Sequence, residues 1–157
     1  EEPDPEPLAR GVPVQWLSRV SWACAKAGQR LGVQHEARAV LAEVAALFVG
    51  TRAGRDGRIA PKPRDVANLL WAFGTLQVSD PAFLRGVRAC VLDMANDLGP
   101  QDTANALWAL ERLRALDLEL LAALGGQALR SLRLLRPAGL AAVLTALARA
   151  CRGVPPE

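Results

Sequence analysis

The sequence predicts an all-α fold, an α-solenoid of about 3.5 helix-turn-helix repeats with a 37-residue period. Three observations lead there. First, Pro63-Arg-Asp-Val-Ala-Asn-Leu-Leu-Trp-Ala-Phe-Gly-Thr-Leu76 is echoed by Pro100-Gln-Asp-Thr-Ala-Asn-Ala-Leu-Trp-Ala-Leu-Glu-Arg-Leu113, with eight of fourteen positions identical. A third copy from Pro137 to Ala150 keeps the proline, Ala141, Leu144 and Ala146, and both intervals, 63 to 100 and 100 to 137, are 37 residues. Second, Leu, Ala and Arg dominate, aromatic residues are only 4%, and β-branched residues are sparse, which favours helix over strand. Third, Ala104, Leu107, Leu110 and Leu113 recur at the three-residue spacing of one helix face.

Residues 1–12 read as a flexible, acidic, proline-rich tail, and residues 13–152 as the solenoid. The first repeat, 14–49, is a degenerate copy in which Trp22-Ala23 stands where Trp71-Ala72 and Trp108-Ala109 stand. Its offset is 71 − 22 = 49 residues, twelve beyond the period, and the excess falls in a basic loop at 50–62 rich in glycine and proline. Helices are expected at 14–27 and 35–49. The second repeat, 63–99, opens on Pro63, tolerated in a first turn whose amide has no intrahelical partner. Asp65 follows, where the exposed amides favour an acid, and the expected helices are 64–77 and 81–98. The third repeat, 100–136, uses Pro100 and Asp102 in the same way, with helices at 101–114 and 117–133. Leu120, Leu121, Leu124, Ala128 and Leu132 make the second of these amphipathic. Within it, Gly125-Gly126 implies close backbone packing or a local break, at about 1 kcal/mol per glycine relative to alanine. The fourth repeat, 137–152, opens on Pro137 and holds one helix, 138–151. Its open flank is expected to be covered by the tail at 153–157, by another chain or by further sequence.

Composition and motifs exclude several classes. A chain of 157 residues, 51% apolar, can bury one substantial core. A net charge of +3 permits an acidic partner without demanding one. Arginine outnumbers lysine 17 to 2, which suits bidentate phosphate or carboxylate contacts and equally reflects a GC-rich genome. Cys24, Cys90 and Cys151 show no Cys-x-x-Cys spacing, so neither a disulfide framework nor a zinc site is expected. Every apolar run is interrupted before it reaches transmembrane length. His35 is the single histidine, no Gly-x-Ser-x-Gly occurs, and Gly125-Gly126 lacks the strand and Lys-Ser of a phosphate loop. The chain is therefore read as no enzyme, with no cofactor and no metal. Glu1 in place of Met fits a processed precursor or an excised fragment, with any targeting peptide outside the sequence.

The Pro-x-Asp-x-Ala-Asn-x-Leu-Trp-Ala pattern and its period resemble the octotricopeptide repeat, and are similar to the helical repeats that precede RAP domains in algal and protist organellar proteins. The resemblance runs from residue 14 to about 151, carried most fully at 63 and 100. It implies an α-solenoid acting on RNA in a chloroplast or mitochondrion, in processing, stability, translation or ribosome assembly. The chain departs from that pattern in having few repeats, no RAP domain and a low net charge. These departures leave room for an adaptor, a structural subunit of a large organellar assembly that binds protein through the solenoid surface.

Arg52, Arg55, Arg58, Lys62 and Arg64, in and beside the inserted loop, are the densest basic run and the first candidates for RNA contact, with a solvated loop face as the alternative. Arg130, Arg133 and Arg136 form a second ridge near a helix end, where cations are also favoured by the dipole. Trp71 and Trp108 read as aromatics packed between repeats, with base stacking as the lesser alternative. Asn68 and Asn105 read as an inter-repeat side-chain ladder or as base readers. Pro63, Pro100 and Pro137 complete the repeat signature as structural residues.

Overall fold

A computed structural model describes residues 12–53 and 61–152, with side chains over 12–51 and 61–149. The expected tails at 1–11 and 153–157 and loop residues 54–60 lie outside the described residues. Among the described residues the chain is helical without strands: α1 (Val14–Leu31), α2 (Gln34–Ala53), α3 (Pro63–Leu76), α4 (Pro81–Met94), α5 (Pro100–Arg112), α6 (Leu118–Arg130) and α7 (Pro137–Arg152). Each of the seven expected helices is present.

Local chemistry explains the boundaries. Pro63, Pro81, Pro100 and Pro137 each open a helix, where a missing N–H costs nothing. Asp80 and Asp117 cap α4 and α6, their carboxylates accepting from the amides of Phe83 at 2.6 Å and Leu120 at 2.8 Å. Gln77 and Arg114 end α3 and α5 in the left-handed region, with φ of 53° and 56°. The amides that follow turn back, Val78 to the Phe73 carbonyl and Ala115 to that of Leu110. Helix α2 runs on to Ala53, into the stretch expected as loop, whereas α4 and α6 stop sooner than the apolar pattern suggested. α4 ends at Met94 and α6 at Arg130, and the 3-10 turns Ala95–Asp97 and Leu132–Leu134 follow them. Proline at 100 and 137 forces an extended approach, and the Ser131 hydroxyl donates back to the Gln127 carbonyl at 2.8 Å, competing with continued helix. Helix α6 runs unbroken through Gly125-Gly126, where an added Cβ would meet its neighbours at ordinary distances of 3.8 and 3.6 Å.

Packing is organised around the odd helices. α1 lies along α3, α3 along α5 and α5 along α7, while contacts among α2, α4 and α6 are sparser. Small residues permit the closer row. A Cβ at Gly74 would stand 3.0 Å from the Ala109 backbone, so α3 and α5 approach almost backbone to backbone. The missing side chain also leaves the Gly74 carbonyl reachable, and Arg112 Nε donates to it at 2.9 Å. Between the rows, Phe48, Phe73 and Phe83 form the centre of the core, with Phe73 stacked on Phe83 at 3.9 Å and Phe48 edge-on to it at 5.2 Å.

Each odd helix thus has four sides. On α5 these are Thr103 and Leu110 toward the even helices, Ala106 and Ala109 toward α3, Ala104 and Leu107 toward α7, and an outer side of Gln101, Asn105, Trp108 and Arg112. The first three sides are buried and the fourth is not.

Candidate nucleic-acid interface

The fourth side recurs along the odd row. Sequence equivalence places Gln15, Arg19, Trp22 and Lys26 on α1 and Arg64, Asn68, Trp71 and Thr75 on α3 in register with the four residues of α5. On α7 the same register gives Ala138, Ala142, Thr145 and Arg149. The surface so formed carries Arg19, Lys26, Arg64, Arg112 and Arg149 and three tryptophans, and no carboxylate occupies any of these positions.

The tryptophans are neither buried nor free. Trp22 is 45% exposed, and Trp71 and Trp108 are half-buried against the core. An edge of Trp108 packs where Gly74 has no side chain. Lys26 Nζ lies 4.8 Å from the Trp71 ring centre and 5.7 Å from that of Trp22, bridging two helices by cation–π attraction. The Arg112 guanidinium stands 5.6 Å from the Trp108 ring. Trp71 and Trp108 thus lie partly against the core and partly beside the cations of the outer side, while Trp22 is exposed.

The asparagines behave differently from a ladder. Asn105 accepts from Gln101 Nε2 at 2.9 Å on its own helix, and among the described residues no hydrogen bond joins it to Asn68. That bond leaves the Asn105 amide hydrogens outward as donors. Arg149 pairs with Glu111 at 3.1 Å, one position before the register of Arg112, which makes the pair a link between α5 and α7.

Five of the basic residues singled out from sequence lie at or beside helix ends that share one edge of the helix rows. Alternating helix direction puts the ends of α2, α4 and α6 beside the starts of α3, α5 and α7. Lys62, Arg64, Arg130, Arg133 and Arg136 lie at this edge and are exposed. Arg130 is engaged there, donating to Asn96 at 2.6 Å and to Gln127 at 3.0 Å. The side chain of Arg52 and the whole of Arg55 and Arg58 lie outside the described residues. Arg64 belongs both to the edge and to the outer side of α3, so the two basic regions meet at the helix starts. Its charge opposes the burial that pushes the Asp102 carboxyl above its ordinary range.

Sequence reasoning missed Arg19, Lys26 and the shared outer register of Asn68 and Trp71 with Arg64. The signal was present as the spacing of four, three and four residues repeated in each odd helix. It becomes legible only once the three other sides of the helix are assigned to packing.

Among the described residues no group of three or more histidine, cysteine or carboxylate side chains converges as a metal site would, and no helix is long and apolar enough to cross a membrane. Cys24 is half-buried and Cys90 buried, and burial pushes the Cys24 thiol up, away from nucleophile chemistry. No protein-family model, curated protein or solved structure matches the chain.

Proposed function

We propose that the chain is an octotricopeptide-like α-solenoid that binds single-stranded RNA along the outer side of its odd helices. One observation carries the reading: tryptophans and cations alternate across neighbouring helices at register positions that hold no carboxylate. Stacking on an indole contributes about 1–3 kcal/mol per base and tolerates any base, because each has a π-face. Arginine and lysine beside the indoles neutralise phosphates and release counterions. The free donors of Asn105 suit acceptor atoms on a base edge. The helix starts at 63, 100 and 137, and those of the even helices at 81 and 118, support a repeat of 37 residues. The basic edge at Lys62, Arg64, Arg133 and Arg136 extends the path on which a backbone can run.

Retention of the chain on single-stranded RNA across a salt series tests this. Affinity should fall with a log–log slope of about −0.7 per phosphate contact. Trp22→Ala and Arg19→Ala, both on exposed positions of α1, should weaken binding without altering the helical signal. Absence of binding at low salt would sink the reading. An organellar setting in RNA processing, stability, translation or ribosome assembly rests on the repeat resemblance alone, and import of a tagged precursor into isolated chloroplasts or mitochondria checks it.

A second reading, the protein-binding adaptor of an organellar assembly, is favoured by Leu129, Leu132 and Leu134, which are exposed together at the α6–α7 corner. Substituting Leu129 and Leu134 with Ser, which adds no charge to the basic edge, separates the two, since it should abolish adaptor binding and leave RNA affinity unchanged.

A further inference from the structure

Within the odd row, each joint closes a leading stripe of one helix on a trailing stripe of the next. At the α3–α5 joint the leading residues are Ala67, Leu70 and Gly74 and the trailing ones Ala106 and Ala109, all buried. The α5–α7 joint repeats this with Ala104 and Leu107 against Gly139, Val143 and Ala146. The same register on α7 gives a leading stripe of Ala141, Leu144 and Ala148, which is exposed, Leu144 at 56%. On α1 it gives a trailing stripe of Val20 and Ala23, also exposed, Val20 at 44%, with Trp16 one turn earlier at 57%. The side chains of these open stripes are uncharged, with the Arg19 guanidinium beside Trp16 at 5.5 Å, and the stripes are the two halves of a joint that the molecule already closes three times.

We propose that a second copy of this chain docks head to tail, the leading stripe of α7 on the trailing stripe of α1 in the next molecule, so that the odd row continues across the junction. Two facts select this arrangement over a two-fold pair. The odd helices pack parallel to one another, and a leading stripe meets only a trailing stripe inside the chain. A two-fold axis would set α7 antiparallel against α7, a joint with no precedent in the row. A head-to-tail contact uses two different surfaces and does not consume them in pairs, so association is open-ended rather than stopping at two. Its consequence is a longer outer surface, with Thr145 and Arg149 of one copy followed by Trp22 and Lys26 of the next.

Sedimentation velocity of the 157-residue chain over a concentration series tests the proposal. A single helix joint belongs with small interfaces, so mass-average size should rise over roughly 10–100 μM. Leu144→Arg blocks the leading stripe and Val20→Arg the trailing one; both residues are exposed, and circular dichroism checks that each variant keeps its helices. Either variant alone should remain monomeric. Mixed in equal amounts they should form a one-to-one heterodimer and nothing larger, because each retains the stripe the other lacks. A wild-type chain that stays monomeric throughout overturns the proposal. So does self-association that survives either substitution, or a mixture that fails to pair.

Discussion

Single residues set how closely the helices approach. Gly74→Ala would drive a Cβ to 3.0 Å from the backbone of Ala109, a contact with no flexible side chain to give way. Overpacking of this kind costs about 1–3 kcal/mol, and urea unfolding should show a lowered midpoint with an unchanged slope. Gly126 is the opposite case, since the nearest atom to an added Cβ is the tip of the Arg130 side chain. Gly126→Ala should therefore stabilise the chain by about 1 kcal/mol, through the helix propensity of alanine. The pair is diagnostic because both glycines lie within helices and their neighbours differ. Arg114 offers a third contrast. Held at φ of 56° and exposed, it should accept glycine with a gain of up to about 1 kcal/mol in thermal or urea unfolding.

At the level of the element, the caps decide where helices begin and how they respond to pH. Burial raises the Asp117 carboxyl, but the amide of Leu120 and the guanidinium of Arg88 outweigh it and hold the group below its ordinary range. A carboxyl depressed in the folded state contributes stability above its unfolded pKa and loses it as pH falls through the folded value. Acid titration of wild type against Asp117→Asn should thus show the variant less stable at neutral pH and the difference vanishing in acid. Asp117→Ala should cost about 1 kcal/mol, the usual value of an N-cap. Asp102 has the reverse sign. Its raised carboxyl disfavours the folded state as pH climbs through the folded value, so Asp102→Asn should be neutral or stabilising at pH 7. How far the elements could be read in advance follows from the same physics. Proline, acidic and left-handed positions act within one turn, so the starts at 63, 100 and 137 were evident from sequence. The 3-10 turns after α4 and α6 were not, because the apolar pattern runs on through Leu98 and Leu132 after the hydrogen-bonding pattern has changed. The tryptophans were assigned to packing for an understandable reason. Leu70-Trp71-Ala72 is apolar in sequence, yet Leu70 and Ala72 face two neighbouring helices and Trp71 falls on the arc between them.

For the whole molecule, the buried surfaces among the described residues join neighbouring helices, most of all each odd helix to the next odd one. Stability should accordingly accumulate by neighbours. Hydrogen exchange should show α3 and α5 opening last and α7, which has one neighbour in the odd row, opening first. Ligand in excess should shift this order by protecting α1 and α3 together, since Lys26 joins their indoles.

The unequal rows have a mechanical meaning. Odd helices are locked by glycine, alanine and the Arg112 and Arg149 links, while even helices touch more loosely. The chain is built like a strap with an inextensible lining and a yielding back. Flexing should therefore open or shut the gaps between α2, α4 and α6 and leave the interval from one indole to the next nearly constant. On the proposed RNA reading, a strand fitted to that interval would meet a ruler whose markings should hold their spacing as the protein bends.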